Sequence, residues 1–177
     1  MLRLEKPRMK HFKSLMEADR DFESVGEEAY CGMHGRVGYM SWMTLVDRQA
    51  QSEMADYGQS PNEIYFLVDD ADEQIKGFGQ LRPMNTHEVM TWAGHIGYSV
   101  PPRYRGQGYA QKLLRMLLTE GFSRGMEEIL LTCDVDNDPS RHIIEKAGGV
   151  FIGFYRDQEY NKRVYSFLPE EFRGKRA

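Results

Sequence analysis

Cysteine is scarce: Cys31 and Cys133 are the only two in 177 residues, far apart and outside any Cys-x-x-Cys pair. That spacing supports neither a disulfide framework nor a zinc ribbon. With no signal-peptide pattern at its start, the chain is expected in a reducing cytoplasm. Long apolar runs are missing too. Nothing approaches the ~20 residues of a membrane span, so a soluble protein with no membrane partner is expected. Concentrated positive charge is also absent, because 23 Lys and Arg are scattered among 27 Asp and Glu for a net charge of −4. Duplex binding calls for a basic face, so nucleic acid is not an expected partner. What is present, 41% apolar and 28% charged residues, suffices for one core without staples, and a single domain over residues 1–177 is expected.

The basic residues that do cluster are Arg103 and Arg105, around Tyr104, and the tail 173–176, which reads as a solvated end. An acidic molecule with positive charge at one place suits a small polyanion, while its remaining negative field favours a cationic second substrate. No repeat interrupts the chain. Residues 8–23 (Met9, Phe12, Leu15, Met16, Phe22) and 39–57 (Trp42, Leu45, Val46, Met54) carry apolar side chains at helical spacing, and residues 26–38 between them hold four glycines and predict a loop. From residue 63 the period becomes that of strands, over 64–68, 74–81 and 92–100. A helix follows at 107–122, with Ala110, Leu113, Leu114 and Leu117 on one face, then a strand at 128–133. A second helix is expected to start with Asp138 as cap and Pro139 at its first position, and to end at Gly148 and Gly149. Strands at 150–155 and 163–168 close the order. The expected architecture is α/β: a mixed, mostly antiparallel sheet flanked by helices, with a parallel strand–helix–strand crossover in its middle.

Residues 100–110, VPPRYRGQGYA, join a strand to a long helix. The first amides of a helix lack intrahelical partners and sit at the positive end of its dipole, so an anion is stabilised there. Gly106 and Gly108 leave the backbone approachable, and Arg105 adds a full charge. The segment predicts a phosphate or diphosphate cradle. A dinucleotide-binding fold would have a third glycine where Gln111 stands, and no Gly-Lys-Ser/Thr closes the loop as in a nucleotide-triphosphate site.

The pattern Arg105-x-x-Gly108-x-Ala110 resembles the acetyl-CoA signature of the GNAT superfamily of N-acetyltransferases. Residues 137–148, NDPSRHIIEKAG, resemble that superfamily's second motif, and residues 94–100, GHIGYSV, its central strand. The likeness spans residues 62–168 and is nearest to predicted acetyltransferases of uncharacterised substrate. It implies the acyl-CoA N-acyltransferase fold, whose central parallel pair splays so that pantetheine amides pair with free backbone groups, here those of Tyr98, Ser99 and Val100. The diphosphate would rest on the amides of Arg105, Gly106, Gln107, Gly108, Tyr109 and Ala110. Asn137 would hold the pantetheine arm, with Ser140 one helical turn further on. The implied activity is transfer of the acetyl group of acetyl-CoA to a small-molecule or peptide amine by direct attack in a ternary complex, with no metal. A homodimer is left open.

Attack on a thioester requires a deprotonated amine and a route for protonating the thiolate. The family's second motif has a tyrosine before its Glu-Lys as the acid on sulfur. This chain has Ile144 there, which keeps a rival reading alive, a CoA-binding sensor or assembly module. His95 is the expected base, since it can titrate near neutrality and shares a strand face with Gly97 and Ser99. Ser140 is the second catalytic candidate, and Asp134 and Glu63 are further bases. Cys133 reads as a buried small hydrophobe ahead of a covalent acceptor. Asp134, Asp136, Asp138 and Glu145 imitate a calcium loop, but Pro139 stands where such a loop needs glycine. His142 and Glu145 are three apart on a helix, without a second pair to complete a metal site. Tyr30, Tyr39, Trp42, Glu27 and Glu28 are expected to wall an acceptor cleft for an ammonium group, with the 83–91 loop beside it.

Overall fold

The structure is a computed structural model that describes residues 1–28, 38–51 and 58–170. The strand β1 (Leu2–Glu5) leads through a 3-10 turn at Met9–His11 into α1 (Phe12–Glu23), and α2 (Tyr39–Gln49) follows. Next come β2 (Glu63–Asp69), β3 (Gln74–Leu81) and β4 (Ile96–Ser99). Helix α3 (Tyr109–Ser123), β5 (Ile129–Asp134), α4 (Asp138–Ala147), β6 (Val150–Arg156) and β7 (Asn161–Phe167) complete the order. Residues 52–57, including Met54, lie outside the described residues.

Instead of one continuous sheet, β1-β2-β3-β4 form a four-stranded antiparallel sheet and β5-β7-β6 a three-stranded one. The alternation in β2 explains the layering. Tyr65 and Leu67 face one core, with Leu113, Leu114 and Leu117 of α3 and Ile144 of α4, while Ile64, Phe66 and Val68 face another, with Leu15 and Phe22 of α1 and Trp42 of α2. Helix α3 seats closely on β3 because Gly77 and Gly79 have no side chains: a Cβ there would stand 2.9 Å from Leu113 and 2.7 Å from Leu117.

The strand expected over 92–100 is shorter. Residues Val89–Ala93 form a π-helical turn, and Gly94 then takes φ 70°. Here the two sheets touch. A Cβ on Gly94 would meet the Leu130 carbonyl oxygen at 3.0 Å and the Leu131 Cα at 3.2 Å. The His95 N–H donates to the Leu130 carbonyl (2.7 Å), the Leu130 N–H donates to His95 Nδ1 (2.8 Å), and the Thr132 hydroxyl donates to the Trp92 carbonyl (2.7 Å). Beyond this junction β4 and β5 belong to different sheets. Among the described residues, therefore, no strand pairs with the far edge of β4. Among the described residues no helix is long and apolar enough to cross a membrane.

Candidate active site

A cavity of about 540 Å³ opens where β4 parts from β5. Its floor is Tyr98, Ser99 and Val100. One wall is the start of α3, with Arg105, Gly106, Gly108, Tyr109 and Ala110; the facing wall is the start of α4, with Asn137, Ser140 and Ile143; Glu27 and Glu28 reach it from beyond α1. The structure thus gathers every expected donor-binding residue except Gln107, whose side chain turns back to donate to the Arg103 carbonyl.

At the α3 end, Gly108 is the N-cap in a left-handed conformation, φ 80°, and a Cβ there would meet nothing within 4 Å. Its glycine is therefore required by backbone shape and by the open space it leaves over the helix start. Arg105 is held at two places. Its Nε donates to the Val100 carbonyl (3.1 Å), and its two Nη atoms donate to the Glu27 carboxylate at 2.9 and 2.5 Å. That bidentate pair lowers the Glu27 carboxyl below its ordinary range. Two backbone groups are already engaged: the Arg105 N–H bonds the Pro102 carbonyl, and the Val100 carbonyl holds Arg105. The groups that could hold an anion at this helix start are therefore the amides from Gly106 onward and the guanidinium, which here is paired with Glu27.

At the α4 end, Asn137 rather than Asp138 is the cap, its Oδ1 accepting from the Ser140 N–H at 3.0 Å, and Pro139 follows within the first turn. Capping occupies the Asn137 carbonyl and leaves its amide N–H group as the donor. Ser140 and Ile143 face the cavity, whereas Ile144 is fully buried in the core. The Tyr98 hydroxyl lies 3.0 Å from the Ser140 hydroxyl, and burial pushes the phenol up to about 12. The Ser99 hydroxyl is buried and has no hydrogen-bond partner among the described residues. The family resemblance implies a role for the Tyr98 backbone alone. Its phenol in the cavity is legible only in three dimensions, because it depends on α4 crossing β4 at Ser140.

His95 lies at the sheet junction, 1% exposed and not among the residues lining the cavity. With Nδ1 accepting from Leu130, its Nε2–H donates to Asn85 Oδ1 at 2.8 Å, so the one lone pair of the neutral ring is already engaged by the Leu130 N–H. Burial holds it down at about 4. The structure thus gives His95 the work of joining the sheets. Glu63 pairs with Lys6 and Arg124, and Asp134 with Lys162, both away from the cavity. Cys133 is buried, which raises its thiol, and it does not line the cavity. Tyr39 donates to the Arg8 carbonyl, and Trp42 stacks on Phe66 in the core. Of the residues expected to wall an acceptor cleft, Glu27 and Glu28 line this cavity. Residues 83–91 do not line the cavity, and Tyr30 and Cys31 lie outside the described residues.

Compared with known proteins, residues 36–149 match the acetyltransferase (GNAT) family. The chain is 32% identical over 87 residues to N-alpha-acetyltransferase 30 of Schizosaccharomyces pombe, covering 49% of this chain and 57% of that protein. It is 29% identical over 84 residues to the uncharacterised N-acetyltransferase YnaD of Bacillus subtilis, covering 44% and 49%. The chain thus spans about half the length of these curated relatives. Among solved structures, RimJ of Mycobacterium smegmatis in complex with CoA-disulfide superposes with a TM-score of 0.70 at 18% identity, over 96% of this chain and 83% of that one. At that identity the likeness is one of fold.

Proposed function

The chain belongs to the acetyltransferase (GNAT) family, and from that premise we propose that it is a single-domain cytoplasmic enzyme moving the acetyl group of acetyl-CoA to an amine. The observation that carries the reading is the cavity between the parted strands. An open helix N-terminus with Arg105 lies at one side, a free strand edge forms its floor, and hydroxyls face it from β4 and α4. The diphosphate rests on the α3 amides and Arg105. The pantetheine amides pair with the free edge at Tyr98 and Ser99, in the manner of an added strand, and the Asn137 amide group holds the arm from the opposite wall.

The acceptor is a small-molecule or peptide amine entering past Glu27 and Glu28, whose carboxylates draw in its ammonium form. Desolvation in the cavity lowers the ammonium pKa and releases its proton. The nitrogen lone pair then attacks the thioester carbonyl carbon, a C–N bond forms, and the C–S bond breaks as the tetrahedral intermediate collapses. Both substrates are held together in one complex, so orientation supplies much of the acceleration. The burial of Ile144, where the family has its acid, is what favours the rival reading of a CoA-binding module.

Steady-state release of CoA thiol, measured over polyamines, amino acids and peptides with free N-termini, separates the two. Turnover with an amine supports the enzyme. Tight CoA binding with no turnover on any of them would replace it with the module.

A further inference from the structure

The proton that must reach the departing sulfur has no source at the position where the family motif supplies one. Ile144 occupies it, and that side chain is fully buried among Ile129, Leu131 and Phe167 of the core, so even a hydroxyl there would not face the cavity. Ile143, its neighbour, does face the cavity and carries no proton. Cys133, a thiol nearby in the core, is likewise outside the lining.

The cavity holds two hydroxyls close to one another on opposite sides, Tyr98 Oη from β4 and Ser140 Oγ from α4, 3.0 Å apart. A donor anchored by its diphosphate at the start of α3 and lying along β4 runs past Val100 and Ser99 toward Tyr98. That is the direction in which a pantetheine arm carries its thioester. From this placement, and resting on the acetyl-transfer reading above, we propose that Tyr98 is the catalytic acid, its hydroxyl protonating the leaving sulfur while Ser140 orients and reprotonates it.

The step balances. The C–N bond forms and the C–S bond breaks. The Tyr98 proton passes to sulfur as the Ser140 hydroxyl passes one to Tyr98, and the proton shed by the attacking nitrogen restores Ser140. The phenol bridges the transfer and never accumulates as phenolate. Burial raises the phenol, which keeps it in the protonated, donor form at working pH.

The test replaces the hydroxyl and then retunes it. Tyr98→Phe keeps the ring that packs against the core. It is expected to lower kcat by about 10²- to 10⁴-fold, the usual size of a general-acid contribution, with the Kd for CoA within threefold of wild type. The second variant carries 3,5-difluorotyrosine at position 98, which preserves shape and makes the phenol markedly more acidic. It is expected to retain activity near neutrality and to lose it on the alkaline side, where the wild-type profile stays flat. A structural hydrogen bond would not create that alkaline limb. Ser140→Ala is expected to lower kcat less than Tyr98→Phe. A Tyr98→Phe protein that turns over within threefold of wild type, or a fluorinated protein with an unchanged pH profile, overturns the assignment of Tyr98 and leaves acetyl transfer standing. A wild-type protein that binds CoA but acetylates no amine removes acetyl transfer and this assignment together.

Discussion

If Arg105 holds the diphosphate as proposed, replacing Glu27 by glutamine should tighten CoA binding, because the Glu27 carboxylate occupies the guanidinium. The two Arg105 Nη atoms reach the Glu27 oxygens at 2.9 and 2.5 Å, and both side chains are nearly half exposed, 44% and 47%. An exposed ion pair of this kind is worth about 0.2–1 kcal/mol after solvent screening. Removing the competitor should therefore raise CoA affinity by about 1.4- to 5-fold. Titration calorimetry at low salt measures it directly, and the gain should shrink at high salt as screening weakens the pair it removes. Arg105 pulls the Glu27 carboxyl below its usual range, so the competing charge persists through mildly acidic pH and the gain should stay constant there. Arg105→Ala is the mirror experiment. Loss of a charged hydrogen-bond donor should weaken CoA by about 10- to 150-fold, and in that background Glu27→Gln should have no further effect. Equal or weaker CoA binding by Glu27→Gln at low salt would refute the competition, as would a gain that survives in the Arg105→Ala protein.

Two glycines with the same backbone sign should behave oppositely. Gly94→Ala, with φ 70° and a new Cβ 3.0 Å from the Leu130 carbonyl, should cost at least about 2 kcal/mol in denaturant unfolding, since a left-handed penalty and a backbone clash add. Gly108→Ala meets open space and should cost only about 1–2 kcal/mol in stability, while its methyl group, standing between the α3 amides and the diphosphate, lowers CoA affinity at least tenfold by calorimetry. His95 should make the fold acid-sensitive. Its folded value near 4 lies below its unfolded one, so the native state binds fewer protons between the two. Stability is then full above about pH 6.5 and falls by about 3 kcal/mol by pH 4. Urea unfolding across that range should show the slope, and His95→Gln should flatten it while lowering stability at neutral pH.

The elements were legible because their signals are local. Alternation in β2, the apolar face of α3 and the Gly148 end of α4 are each written within a few residues of themselves. What the sequence did not disclose depends on contacts between distant segments. His95 alternates correctly with Gly97 and Ser99, yet its role is decided by Leu130 and Asn85, which no strand pattern names. Residues 92–95 have strand composition, but the close approach of Leu130 and Leu131 leaves Gly94 in a conformation that ends the ladder. The choice between Ile143 and Ile144 as the cavity-facing residue depends on how α4 is rotated against the sheet. Trp42 and Tyr39 have the chemistry of a cation-binding wall, and the apolar face of α2 turns them inward. The geometry of the proposed donor cradle was the most legible, because a helix start, two glycines and an arginine act through neighbouring backbone.

The parted strands also bear on how the molecule responds when filled. Among the described residues, the main-chain hydrogen bond that joins the two sheets here is at His95 and Leu130, so a donor lying along the gap, as proposed, would act as a further brace between the two halves. Occupancy should then register as rigidity: the thermal midpoint climbs with CoA concentration by mass action, and amide exchange slows most along the two facing strand margins, well away from the phosphates themselves.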